Sequence, residues 1–104
     1  MRTMAKIDCI AVLKALSEIS RMRILRILLN SRLSVNDIAE RLDMTHYNVS
    51  KHLRVLREAG LISMERQGKN HICTLAPHLK THLAENKNVL QLKCCTFRFD
   101  KLPK

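Results

Sequence analysis

Two sets of side chains in this sequence could do chemistry. The first lies in THYNVSKHLR, residues 45–54. If that segment is helical, Thr45, His46, Tyr47, Ser50, Lys51 and Arg54 share one face, opposite Val49, Leu53 and Leu56. Lys51 and Arg54 suit phosphate, while the histidine, phenol and hydroxyl groups can meet base edges. A major groove admits one α-helix and displays those edges, so the chemistry is the reading of double-stranded DNA. An ordinary solvated face is more usually filled with Glu, Lys and Gln. The second set is the thiols Cys94 and Cys95 in KCCTFRF, with Cys9 and Cys73 elsewhere. Two or three thiolates suit soft ions such as As(III), and thiols can also be reversibly oxidised. Lys93 and Arg98 favour the thiolate form. An extended CCTFRFD would point Cys94 and Cys95 to opposite sides, so sharing an ion needs a bend. Without one, the tail packs Phe97 and Phe99 on the core of a dimer, and its cysteines act as small hydrophobes. Cys73 is read as packing.

These residues need elements to position them. Ile7, Ile10, Ala11, Leu13 and Leu16 have helical spacing over residues 5–16. Ser20 is the expected cap of a second helix over 21–31, with Ile24, Leu25 and Leu28 inward. Ser34 and Asp37 form a capping-box pattern ahead of Val35, Ile38, Ala39 and Leu42. A tight DMT turn leads to Thr45, which caps the next helix, and Gly60 stands just past that helix's end. LISMER and HICTLA, joined through QGKN, read as a hairpin, and Pro77 opens a last helix. Two short helices across a tight turn, followed by a basic hairpin, predict a winged helix-turn-helix. The fold class is mainly α with a small β-hairpin: four helices, the hairpin and a fifth helix. The hairpin tip carries Arg66, Gln67, Lys69 and Asn70, which can reach backbone or minor groove.

Bulk properties agree. The 104 residues predict a single domain spanning 1–104, and the formal net charge of +10 calls for an anionic partner. Tyr47, Phe97 and Phe99 are the only aromatics, so the core must be aliphatic and stacking platforms for single-stranded RNA are missing. No run of about 18 apolar residues predicts a membrane span. The N-terminus lacks a signal-peptide pattern, which points to the cytoplasm and to free thiols. No paired carboxylates, Gly-rich phosphate loop or nucleophile–base motif suggests an enzyme. A winged helix used only as an interaction or architectural module is the alternative.

ALSEISRMRILRILL (15–29), LSVNDIAERLDMTHYNVSKHLRVLREAGLI (33–62) and ERQGKNHICTLAP (65–77) resemble the ArsR/SmtB-type bacterial repressors. The likeness covers about residues 10–77, and VSKHLRVLREAGLI is its most specific part. It implies a cytoplasmic, nucleoid-associated homodimer that represses from a palindromic operator and is released by an effector. It also implies a helix-turn-helix over 34–57, with its reading helix at 45–57, and a wing over 61–76. The first and last elements, 1–16 and 77–104, would dimerise. Because those elements meet in the family dimer, Cys9 is the expected third thiol beside Cys94 and Cys95. LSVND lacks the thiol pair that some relatives carry at the start of the third helix. His78, His82 and Glu85 could hold zinc, but are read as a solvated face. His52 is read as a structural histidine.

Overall fold

The computed structural model describes residues 8–103. The elements run α1 (Cys9–Leu16), α2 (Ile19–Leu28), β1 (Leu33–Ser34), α3 (Val35–Leu42), α4 (His46–Glu58), β2 (Ile62–Gln67), β3 (Asn70–Leu75), α5 (Pro77–Glu85), β4 (Val89–Gln91), β5 (Thr96–Arg98) and a 3₁₀ turn (Phe99–Lys101). Residues 5–7 of the expected first helix lie outside the described residues.

Local chemistry sets the helix boundaries. Asp8 caps α1 by accepting from the Ile10 amide at 3.2 Å. The expected Ser20 cap is corrected: α2 begins two residues earlier, and the Glu18 carboxylate takes the capping role by accepting from the Arg21 amide. Burial raises the Glu18 pKa, but the Ser20 and Arg21 amides and nearby His52 outweigh it, leaving the carboxyl below its usual range. The capping box of α3 forms as read, with Ser34 and Asp37 each accepting from the other's amide. Gly60 adopts φ +78° immediately after α4, a conformation that side chains with a Cβ resist.

The helices enclose an aliphatic core. Val12, Ile24, Leu25, Ile38, Val49, Leu53, Leu56 and Leu79 are buried, joined by the single buried aromatic ring, Phe99. Each fully buried side chain of this size contributes about 1.5–3 kcal/mol of transfer free energy. The wing is a three-stranded antiparallel sheet ordered β1-β3-β2, not the two-stranded hairpin expected. The extra strand pairs Leu33 with Cys73 and Ser34 with Ile72, so Ser34 serves as both strand residue and helix cap.

After α5 the chain turns back as a second small hairpin, with Val89 opposite Arg98 and Gln91 opposite Thr96. Phe99 drops into the chain's own core, which corrects its expected place on a dimer core, and the Leu102 carbonyl accepts from Arg26 at 2.6 Å. This return also corrects the reading of α5. His82 is only 7 % exposed, so it is not on a solvated face with His78 and Glu85. Its Nε2 accepts from the Gln91 amide at 3.0 Å. Burial, opposed by Glu85, holds the His82 imidazole below its usual pKa.

Candidate nucleic-acid interface

The central helix, α4, is anchored from both sides. Its apolar stripe, Val49, Leu53 and Leu56, is buried. Thr45 caps it, with Oγ1 accepting from the Asn48 amide at 3.1 Å. Removing that acceptor by Thr45→Ala leaves an orphan amide and is expected to cost about 1 kcal/mol in urea unfolding. An unchanged midpoint would show that water replaces the cap fully.

The opposite face is free. Thr45, His46, Tyr47, Lys51 and Arg54 are exposed, and Ser50 is half-buried. Tyr47 is 70 % exposed, unusual for the only tyrosine of an aromatic-poor chain. Lys51 Nζ lies 5.4 Å from the Tyr47 ring centroid, one helical turn away. Arg54 pairs with Glu58 at 3.2 Å, but both side chains are largely in solvent. Such a pair is worth only a few tenths of a kcal/mol and yields readily to a phosphate.

His52 sits where the sequence puts it, on the inner flank of α4. Its Nδ1 lies 3.3 Å from an Arg21 guanidinium nitrogen and 3.5 Å from a Glu18 carboxylate oxygen. Arg21 also donates to the carbonyls of Lys14 and Ala15 at the end of α1. One guanidinium thus ties α1, α2 and α4 together. Burial holds His52 below its usual pKa, against the pull of Glu18 and with help from Arg21 and Lys51.

The wing tip carries Arg66, Gln67, Lys69 and Asn70, all exposed. Gly68 makes the reversal possible at φ +61°. Between this tip, α4 and the start of α3 lies an open groove of about 330 Å³. Arg57, absent from the expected set, lines it with His46, Ser50, Lys69 and His71. The signal was available: residues 46, 50 and 57 fall within about 40° of each other around a helix.

The thiols depart most from expectation. Cys9 and Cys94 form a disulfide across 85 residues, which corrects the expectation of free thiols. Cys94 and Cys95 are not in an extended strand; they lie in the turn between β4 and β5, with their sulfurs 3.4 Å apart. Cys9, Cys94 and Cys95 are therefore together, within one chain. The proposed three-thiolate ion site does not exist in this state, because two of the sulfurs are bonded to each other. Among the described residues no cluster of three His, Cys, Asp or Glu side chains is arranged to hold a metal ion. Cys73 is fully buried in β3, and burial pushes its thiol up to about 11.

A family model described as a helix-turn-helix domain matches residues 11–65, just over half of the chain. The chain belongs to the ArsR/SmtB family of winged helix-turn-helix transcriptional regulators. One relative in that family, the HTH-type transcriptional regulator NmtR of Mycobacterium tuberculosis, is 40% identical over 75 residues, covering 72% of this chain and 60% of NmtR. The arsenical resistance operon repressor of Escherichia coli is 34% identical over 77 residues, covering 73% and 66%. The chain thus spans less than two thirds of the length of these curated relatives. A homodimeric winged helix-turn-helix DNA-binding domain from Mycobacterium bovis superposes with a TM-score of 0.67 at 27% identity, covering 75% of this chain and 72% of that one. Among the described residues no helix is long and apolar enough to cross a membrane.

Proposed function

We propose that this ArsR/SmtB-family chain is a sequence-specific, double-stranded-DNA-binding transcriptional repressor. It acts as a homodimer on a palindromic operator in the bacterial cytoplasm. The observation that carries the reading is the free polar face of α4, from Thr45 to Arg54, held on a capped and well-packed helix beside a basic wing tip. Lys51, Arg54 and the wing residues Arg66 and Lys69 grip phosphate, while His46, Tyr47, Ser50, Gln67 and Asn70 meet base edges or groove walls. A second copy suits Ile10, Leu13 and Ile19, which are 72%, 38% and 58% exposed on α1 and the start of α2. The M. bovis relative is itself homodimeric.

Selection from a random duplex pool, followed by fluorescence anisotropy across a salt series, tests this. The expected result is an enriched palindrome and a log–log salt slope of roughly −5 to −9, from about 6–10 neutralised phosphates. No enrichment and a salt-independent signal would favour the interaction or architectural module instead.

The Cys9–Cys94 bridge favours thiol oxidation over a metalloid as the effector chemistry. Two thiols lose two electrons and two protons to an oxidant and join; a dithiol reductant reverses the step. A thiophilic ion such as As(III) needs the bridge reduced before Cys9, Cys94 and Cys95 can offer three thiolates.

A further inference from the structure

We infer that the groove between α4 and the wing is a seat for one backbone phosphate of the bound duplex, with Arg57 as its principal ligand. The inference rests on the DNA-binding reading and extends it to residues outside the helix face described above. Three observations carry it.

The first is charge without compensation. Arg57, Lys69, His46 and His71 line the groove, and none of its lining residues is acidic. Three other described arginines do meet a carboxylate, Arg32 with Glu65, Arg54 with Glu58 and Arg98 with Asp100, whereas Arg57 joins exposed Arg41 and Arg66 in having none among the described residues. Among the described residues neither Arg57 nor Lys69 has a carboxylate within ion-pair reach.

The second is placement of the guanidinium. Arg57 Nη1 lies 3.9 Å from the Met64 sulfur of β2, a weak acceptor, and the side chain is exposed. A planar guanidinium held at the groove by so weak a contact keeps donors available for a two-pronged contact to phosphate oxygens.

The third is position. The groove has α4 on one wall and the wing turn Gly68–Lys69 on the other. A duplex held by the face of α4 must run its backbone past that gap before reaching the wing tip. At about 330 Å³ the space admits a phosphodiester and several waters, given about 30 Å³ per water. Ser50 and Asn36 add short polar groups to the walls. A phosphate held there carries no base identity; it sets the angle between recognition helix and wing.

The test is duplex binding by Arg57→Gln over a salt series, with Lys69→Gln as the second variant and Lys51→Ala as the control. The expected result for Arg57→Gln is roughly tenfold weaker binding, uniform across matched and mismatched duplexes, with a log–log slope shallower by about one per copy. Unchanged affinity and slope in both groove variants, while Lys51→Ala still weakens binding, would overturn the seat and leave the DNA reading standing. A wild-type chain with no duplex affinity would overturn that reading, and the seat with it. Inorganic phosphate is titrated in parallel by amide NMR. Saturable binding below about 1 mM that Arg57→Gln abolishes, with the duplex slope unchanged, would assign the groove to a small free anion and overturn the DNA assignment.

Discussion

The double substitution Lys51→Ala, Arg54→Ala lowers affinity for the selected duplex by at least about 100-fold near 0.1 M salt. Each lost cation removes one released counterion per copy, so the log–log slope of a dimer becomes shallower by about four. The fold is expected to survive. Both side chains project into solvent, and the Arg54–Glu58 pair lost with them is exposed. Surface changes of this kind usually move stability by no more than about 0.5 kcal/mol. Matching thermal melts of the two proteins therefore separate a binding defect from a folding defect. Wild-type affinity in the double variant would mean that α4 does not enter the groove, whatever its composition suggests.

Reduction of Cys9–Cys94 produces the second large change. The bridge closes a loop with a sequence separation of 85. Chain-entropy arguments put the stabilisation from a loop of this length near 4–5 kcal/mol, and measured values commonly fall below the model. A loss of about 3 kcal/mol on reduction is expected, or a melting temperature lower by roughly 10–25 °C. Cys9→Ser and Cys94→Ser should reproduce the reduced protein, while Cys95→Ser should keep the oxidised midpoint. A route to DNA exists as well. The bridge holds the start of α1, and Arg21 joins the carbonyls of Lys14 and Ala15, at its end, to His52 on α4. Duplex affinity should therefore differ between oxidised and reduced protein by at least about fivefold, the lower end of ordinary coupling free energies. Equal melting points in both states would remove the bridge as a structural element; equal affinities would remove it as a switch.

The middle of the chain was legible because its signals are local. Ser34 with Asp37, Thr45 with Asn48, and Gly60 after Glu58 are contacts between near neighbours, and helical spacing needs no knowledge of the tertiary fold. What escaped depends on distant segments meeting. The family resemblance brought Cys9 to Cys94 and Cys95, but through a dimer; that a bend at Lys93–Cys94 lets Cys9 and Cys94 bond within one chain shows in no local spacing. His82 looked solvated because its shield, the hairpin containing Gln91, is too short to show a clear alternation. The strand Leu33–Ser34 has two residues, below any periodicity, and its serine already had an explanation as a cap. Arg57 was overlooked for a different reason. It shares an angular position with His46 and Ser50, but only the folded wing shows that this side of the helix borders a basic groove.

Ser34 has one more consequence. It stands opposite Ile72 in the wing sheet, while its hydroxyl and amide close the first turn of α3. A tilt of the sheet therefore pulls on the helix that packs against α4, as a door pulls on its frame through a shared hinge pin. On the docking proposed above, force felt by the wing in one groove of a duplex would reach the helix seated in the next. The two footholds would then tighten or loosen together, and a distortion of DNA at either would be registered at both.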